Sequence, residues 1–243
     1  GRGCQIGTRK NKIKGISFVM GDFSQNGIIS NLHDFGTKST ADIEKELLKF
    51  SKERKMELIL PCLYSELEGT ALPNIVEEIS KTKYLDHIIV GLDRANENQA
   101  KKAWKFFKKL KSPFSILWND GPGLKSLDKE LRKKDLAPSE LGKGRNVWYC
   151  LGMSIARNTA RSVALHDCDI KTYDRRMLAK LFYPVVNPLF NFEFCKGYYP
   201  RVANEKMNGR VARLLVFPLL TALEKTIGKS DYLEFMKSFK YPL

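Results

Sequence analysis

Short apolar segments alternate with longer amphipathic segments along most of the chain after Met56. The apolar segments are five to seven residues long and rich in Ile, Leu and Val, which predicts buried strands at 57–63, 86–92, 114–118 and 162–166, with a further strand around 192–199. The amphipathic segments predict helices at 67–82, 95–110, 142–159 and 175–185. Strands that alternate with helices predict an α/β fold, with a mostly parallel, doubly wound sheet and helices on both of its faces.

The remaining segments predict less regular structure. Pro61 indicates that the first strand loses its regularity there. A basic, mostly polar segment runs from Asn119 to about Leu141, and the last helix is expected to begin near Asn208 with an interruption at Pro218. An irregular arm and one amphipathic helix at 40–55 precede the sheet. We therefore divide the chain into an N-terminal part, 1–55, a ligand-binding half, 56–169, and the start of a second half, 170–243.

Composition and charge narrow the class of protein. Of the 243 residues, 43% are hydrophobic, so intrinsic disorder is excluded. The longest apolar stretch, 214–223, is too short to span a membrane, and the first residues carry no apolar signal core, so we expect a cytoplasmic protein without a membrane partner. Five cysteines without a Cys-x-x-Cys pair predict reduced thiols and exclude a thiolate zinc cluster. The net charge of +15 favours a polyanionic ligand, whether nucleic acid, an anionic membrane or a phosphorylated small molecule.

Polar side chains follow the predicted strands, where ligands of open parallel sheets bind. These strand-end residues lie at 61–66, 91–94, 119–120 and 166–169. The last of them contains Asp167 and Asp169, whose alternate positions place both carboxylates on the same side of an extended chain. Paired carboxylates repel unless a cation lies nearby, and their oxygens suit Mg²⁺ or Mn²⁺. The alternative from the residues alone is a strand-end turn with two solvated aspartates.

Gly142-Lys-Gly-Arg-Asn146 precedes the helix that leads to this strand. The spacing of a Walker P-loop is absent, which disfavours a P-loop ATPase. Backbone N–H groups, the helix dipole and the Lys143 ammonium would nonetheless converge on a nucleotide diphosphate at this helix N-terminus. An ordinary flexible turn is the alternative.

Four segments together resemble the GT-A nucleotide-sugar glycosyltransferases, and more narrowly the retaining glucosyl-3-phosphoglycerate synthases. The resemblance is carried by Leu60-Pro-Cys-Leu-Tyr-Ser-Glu66, Gly142-Lys-Gly-Arg-Asn-Val-Trp148, Asp167-Cys-Asp169 and Asn208-Gly-Arg-Val-Ala-Arg-Leu-Leu-Val-Phe-Pro-Leu-Leu220. It implies transfer of glucose from UDP-glucose to 3-phosphoglycerate by a metal-dependent enzyme, with a homodimer as its assembly. The donor site that it implies comprises Pro61, Cys62, Leu63, Glu66, Asp93, Lys143, Asp167 and Cys168. It implies catalytic roles for Lys143, Asp167 and Asp169, with Asp169 as the ligand of Mg²⁺ or Mn²⁺, and an acceptor site of Gly209, Arg210, Val211 and Ala212.

The chain departs from the family pattern at three places. Ala212 replaces a threonine of the acceptor site, and Gly91-Leu-Asp-Arg94 replaces the usual Asp-Asp-Gly-Ser at the end of the second strand. No histidine follows Asp169 to complete the metal site, so we expect the native chain to continue beyond Leu243 and to supply one. Two other functions remain open at this point: a glycosyltransferase with another acceptor, such as a polyprenyl phosphate or another small anion, and a basic nucleic-acid-binding module that releases its ligand with added salt.

Overall fold

The computed structural model describes residues 29–31, 38–190, 192–197, 202–203, 206–207, 215–228 and 230. The elements, in chain order, are β1 (Ile29–Asn31), α1 (Thr40–Phe50), β2 (Met56–Leu63), a 3-10 helix (Tyr64–Glu68), α2 (Ala71–Ser80), β3 (Leu85–Asp93), α3 (Glu97–Phe107), β4 (Phe114–Trp118), α4 (Pro122–Arg132), α5 (Lys143–Arg157), β5 (Ser162–Leu165), α6 (Arg175–Val186), β6 (Phe194–Lys196), β7 (Val202–Ala203), β8 (Lys206–Met207) and α7 (Phe217–Ile227).

A four-stranded sheet in the order β4-β3-β2-β5 forms the centre of the fold, and every neighbouring pair in it is parallel. β2 and β3 consist mostly of buried residues, as expected for strands that are covered on both faces. The chain runs outward from β2 through β3 to β4 and then returns to place β5 on the other side of β2. The predicted fold class, α/β with a mostly parallel sheet flanked by helices, is confirmed.

Alternate side chains of the strands pack against helices on opposite faces of the sheet. On one face, Leu58 and Val90 belong to a large core that also includes residues of α1, α2 and α6. On the other face, Ile59 and Ile89 pack against Cys150 of α5. α5 therefore crosses one face of the sheet, with its first turn at the edge where the strands end.

Pro61 does not end β2, which continues to Leu63. The expectation of an irregular strand end there was wrong for a geometric reason. The backbone oxygen of Ile59 accepts a hydrogen bond from the His166 N–H, at 3.1 Å, so Ile59 directs its polar groups toward β5. Residues 59 and 61 face the same way, and the paired residues of β2 and β5 end at Ile59 and Leu165. The missing N–H of Pro61 therefore removes no bond of the β2–β3 ladder, which continues to Leu63 and Asp93.

Three further elements differ from their predictions. The polar segment after β4 contains the helix α4, which begins with Pro122 in its first turn and buries Leu124. β6 is shorter than the predicted strand and pairs with β1 in a separate parallel sheet rather than joining the central one. Pro218 lies in the first turn of α7 and does not interrupt it, because the first turn lacks intrahelical N–H bonds that a proline would break. Residues 208–214, where we expected the last helix to begin, lie outside the described residues.

The three predicted parts of the chain all contribute to the same core. Leu47 of the N-terminal part, Leu60 of the ligand-binding half and Phe182 of the second half are buried together in one cluster. The division at residues 55 and 169 stays a prediction. None of the helices in the described part of the chain combines the length and the apolar character that crossing a membrane requires.

Candidate functional site

A cavity of about 220 Å³ opens at the edge of the sheet where β2, β3 and β5 end. Its position is the switch point of the topology, because the chain leaves β2 toward β3 on one side and reaches β5 on the other. The lining residues are Pro61, Cys62, Leu63, Glu66, Asp93, Arg94, Gly142, Lys143, Asn146, Asp167, Cys168 and Asp169. The structure thus brings together every donor-site residue expected from the sequence, along with the expected metal ligand.

The end of β2 forms one wall of the cavity. Cys62 lies there beside Cys168, which follows β5, and both side chains are buried. The hydrogen bond between the two thiols, together with burial, raises the pKa of Cys168 well above its ordinary value. The Cys168 thiol is therefore neutral, and both side chains pack the floor of the cavity.

The end of β3 contributes an acidic and a basic side chain, Asp93 and Arg94. Arg94 has a φ of 55°, in the left-handed region, and its backbone N–H donates to the Asp93 carboxylate at 3.1 Å. The turn is also held by Asp120, whose carboxylate accepts a hydrogen bond from the Ala95 N–H at 3.0 Å. Of the four strand ends singled out from the sequence, the one at Asn119 and Asp120 does not line the cavity, and Asp120 instead stabilises the β3–α3 turn.

The first turn of α5 closes the cavity opposite β2. Gly142 precedes the helix with a φ of 144°, a backbone conformation that favours glycine. Lys143 is the first residue of the helix, and its ammonium forms an ion pair with the Asp167 carboxylate. Asn146, one turn further on, is buried and donates a hydrogen bond from its side-chain amide to the Gly91 carbonyl at 2.7 Å. The glycine-flanked lysine and the paired aspartates therefore face each other across one cavity.

The charges of the cavity favour a bound divalent cation. Four carboxylates, at positions 66, 93, 167 and 169, line it against the two cationic side chains Arg94 and Lys143. Asp167 is paired with Lys143, whereas Asp169 is exposed and makes no ion pair with another described residue. No cluster of three or more His, Cys, Asp or Glu side chains suited to a metal occurs in the described part of the chain. One or two carboxylates suffice for Mg²⁺ or Mn²⁺ when phosphate oxygens of a ligand complete the coordination, so the donor set fits such an ion.

His166 lies between the strand and the aspartates but faces away from this cavity. It is buried, its ring packs edge-on against Tyr173 with 5.3 Å between centroids, and it lines a second cavity along β5 and α6. Burial lowers the pKa of His166 to about 4, so its ring is neutral at neutral pH.

The expected acceptor residues Gly209, Arg210, Val211 and Ala212 lie outside the described residues. Three lining residues were not selected as site residues from the sequence: Arg94, Gly142 and Asn146. Gly142 and Asn146 stand in the motif that begins with Gly-Lys-Gly, and Arg94 stands in the strand end at 91–94. The signal for Asn146 was its place one turn after the Gly-Lys-Gly turn, which puts it at the same end of the helix.

The strand order and the cavity at the switch point define a doubly wound α/β protein with a ligand site at the carboxyl edge of its sheet. No family model matches the chain. Its sequence is 44% identical over 224 residues to the glucosyl-3-phosphoglycerate synthase of Persephonella marina, covering 92% of this chain and 55% of that protein. It is 36% identical over 226 residues to the glucosyl-3-phosphoglycerate synthase of Methanococcoides burtonii, covering 91% of this chain and 54% of that protein. The chain is therefore a homologue of glucosyl-3-phosphoglycerate synthases, as its motifs indicated, and it spans about half the length of these relatives.

Solved structures of the glucosyl-3-phosphoglycerate synthase of Mycobacterium tuberculosis also match. The complex with Mn²⁺, UDP and glucosyl-3-phosphoglycerate has a TM-score of 0.48 and 20% identity, covering 82% of this chain and 59% of that chain. The complex with Mn²⁺ and UDP-glucose has a TM-score of 0.49 and 20% identity, covering 84% of this chain and 60% of that chain.

Proposed function

We propose that this chain carries the donor-binding part of a glucosyl-3-phosphoglycerate synthase, which transfers glucose from UDP-glucose to 3-phosphoglycerate with retention of configuration. The observation that carries the proposal is the cavity at the switch point, where Lys143 and the first turn of α5 face Asp167 and Asp169. The homology to two curated synthases over more than nine-tenths of the chain supports the same activity. Residues 209–212 would bind the acceptor, a proposal that rests on the sequence motif alone.

The diphosphate of the donor would lie at the first turn of α5. The first N–H groups of a helix have no intrahelical acceptor, and the helix dipole adds partial positive charge there. The Lys143 ammonium, whose side chain is more than half exposed, can turn from Asp167 to a phosphate oxygen without a large desolvation cost. The walls at Pro61, Leu63 and Asp93 would then hold the uridine.

Asp169 would hold Mg²⁺ or Mn²⁺, which supplies charge neutralisation for the departing diphosphate. A diphosphate brought beside four carboxylates is repelled unless cations offset their charge, and the two positive charges of Arg94 and Lys143 are too few to do so. The chain's own contribution is to orient the donor: β2 and β3 position the nucleoside, and α5 positions the diphosphate against Asp167 and Asp169. Such positioning and fixed charge supply much of the catalysis in group transfer.

Isothermal titration of this chain with UDP-glucose, with and without Mg²⁺, tests the proposal. We expect binding that strengthens with Mg²⁺ and that Asp169→Asn weakens about ten- to a hundredfold, because a charge-assisted contact contributes about 1.5–3 kcal/mol. Asp135→Asn is the matched control: Asp135 is exposed, lies outside the cavity and has a φ of 54°, which asparagine tolerates, so its affinity should equal that of the wild type. Absent or metal-independent binding would contradict the proposal.

Titration with other donors and a transfer assay with other acceptors separate the remaining choices of ligand. Tighter binding of GDP-mannose than of UDP-glucose would assign a different donor. Glucose transfer to a polyprenyl phosphate rather than to 3-phosphoglycerate would assign a different acceptor. A nucleic-acid module instead predicts affinity for oligonucleotides that falls steeply with salt and does not depend on Asp169. The homodimer and the cytoplasmic location stay predictions.

A further inference from the structure

We infer that Asp128 of α4 is a positioning residue for the donor site: it holds the first turns of α5, and with them Lys143, in place beside the cavity. The inference rests on the proposed function, because it assigns to Asp128 an effect on the binding of a diphosphate. Asp128 is not among the residues that line the cavity.

The carboxylate of Asp128 is buried and receives three donors. One oxygen accepts from the Tyr149 hydroxyl and lies 3.2 Å from a guanidinium nitrogen of Arg145. The other accepts from Nε of Arg132, at 2.7 Å. Arg145 and Tyr149 stand four residues apart on one face of α5, and the guanidinium also lies over the Tyr149 ring, 5.3 Å from its centroid. A single carboxylate thus connects α4 to two successive turns of α5.

The start of α5 has little support of its own. Gly142 provides no side-chain cap, and a Cβ at Gly142 or Gly144 would meet no atom within 4 Å apart from those of its chain neighbours and of the helix backbone itself. Apart from the ion pair between Lys143 and Asp167, the position of Lys143 therefore depends on contacts made further along the helix. On the sheet side that contact is the Asn146 hydrogen bond to Gly91, and on the α4 side it is Asp128.

Asp128 is suited to hold two cationic partners at once. Burial raises the pKa of Asp128, but the hydrogen bonds from Tyr149, Arg132 and Arg145 outweigh that effect and bring the pKa down to about 2. The carboxylate is therefore charged throughout the neutral range. Its bond to Arg145, whose side chain is only 10% exposed, fixes a side chain that is two residues from Lys143.

A double-mutant cycle between Asp128→Asn and Lys143→Ala tests the inference, with the affinity for UDP in Mg²⁺ measured by isothermal titration and the melting temperature measured alongside. If Asp128 acts through Lys143, Asp128→Asn should weaken UDP binding about five- to tenfold in the wild-type background and less than about twofold in the Lys143→Ala background. A purely structural role predicts a lower melting temperature with an unchanged affinity, or an equal loss in both backgrounds, and either result overturns the inference.

Two further variants complete the experiment. Glu130→Gln breaks an exposed ion pair with Lys133 on the same helix and should leave the UDP affinity unchanged. Tyr149→Phe removes one hydrogen bond from the Asp128 carboxylate. It should weaken UDP binding by a smaller factor than Asp128→Asn, and that loss should likewise shrink in the Lys143→Ala background. This variant keeps the test possible even if Asp128→Asn does not fold. If the wild type fails to bind UDP, the proposed function is wrong. If the wild type and Lys143→Ala behave as proposed but both Asp128→Asn and Tyr149→Phe bind like the wild type, only the present inference is wrong.

Discussion

Replacing Gly91 by alanine should lower the free energy of unfolding by about 3 kcal/mol, at the upper end of what overpacking a core costs. A Cβ at this position would collide with the Asn146 side chain and would lie 2.6 Å from the sulfur of Cys150. Both neighbours belong to α5, which crosses the sheet at this point, and both are buried. The helix must move away from β3 to admit the methyl group, and the hydrogen bond from Asn146 to the Gly91 carbonyl is then lost.

Equilibrium unfolding in urea measures this effect, and Gly152→Ala serves as the matched control. Gly152 lies in the same helix and is exposed, and a Cβ there would meet no atom within 4 Å apart from those of its chain neighbours and of the helix backbone itself. Alanine is a better helix former than glycine, so the free energy of unfolding of this variant should rise by about 0.5–1 kcal/mol. Since the displaced helix begins at the cavity, Gly91→Ala should also weaken UDP binding in conditions where it remains folded. Equal stability of the two alanine variants would show that α5 does not pack against β3 as described.

Arg157→Ala should lower the free energy of unfolding by about 3–5 kcal/mol, because it would leave a buried carboxylate without its cationic partner. Glu57, near the start of β2, is fully buried, and its carboxylate accepts a hydrogen bond from Nε of Arg157 at 2.8 Å. The Ser154 hydroxyl donates to the other oxygen of the same carboxylate. Hydroxyl donors alone do not offset the desolvation of the charge, so Arg157→Ala should destabilise the fold strongly.

Lys101→Ala provides the comparison for this second variant. Lys101 pairs with Glu97 at 2.7 Å, but both side chains are about two-thirds exposed, and such pairs contribute less than about 0.5 kcal/mol. In a urea titration, Lys101→Ala should therefore have a free energy of unfolding close to that of the wild type. The double variant Glu57→Gln with Arg157→Ala should regain part of the lost stability, since an amide is less costly to bury than a carboxylate. A fall of less than about 1 kcal/mol in the free energy of unfolding of Arg157→Ala would contradict the prediction, because it would show that the ion pair with Arg157 does not offset the burial of Glu57.

The two stability predictions concern opposite ends of α5, and together they explain how the sequence places the site. Asn146, Cys150, Ser154 and Arg157 recur at the spacing of one helical face, and that face lies on the sheet. Asn146 anchors the helix where the strands end, and Arg157 anchors it where they begin. The Gly-Lys-Gly turn is thereby held at the carboxyl edge of the sheet, beside the aspartates that follow β5.

Some elements escaped the sequence analysis for identifiable reasons. α4 was not predicted although Leu124, Leu127 and Leu131 recur in it at helical spacing, because the many charged residues around them gave the segment a polar character, and its buried face includes the charged Asp128. The shorter β6 pairs with residues at the start of the chain, and such a distant partner leaves no local pattern. The effect of Pro61 on β2 was predicted wrongly because it depends on whether the backbone nitrogen of residue 61 points toward β3 or toward β5. Only the pairing of β2 with β5 decides that.

The chain by itself determined the strands β2 to β5 and the helices between and after them except α4, the parallel sheet and the set of strand-end residues, because burial and periodicity are local properties of the sequence. Its motifs also determined the family resemblance and the choice of Lys143, Asp167 and Asp169. The tertiary structure alone decided that these side chains meet in one cavity, that Asn119 and Asp120 stand apart from it, and that Arg94 and Asn146 belong to it. Those outcomes depend on strand order, on register and on the close approach of a helix to one glycine, and contacts between distant segments of the chain set all three.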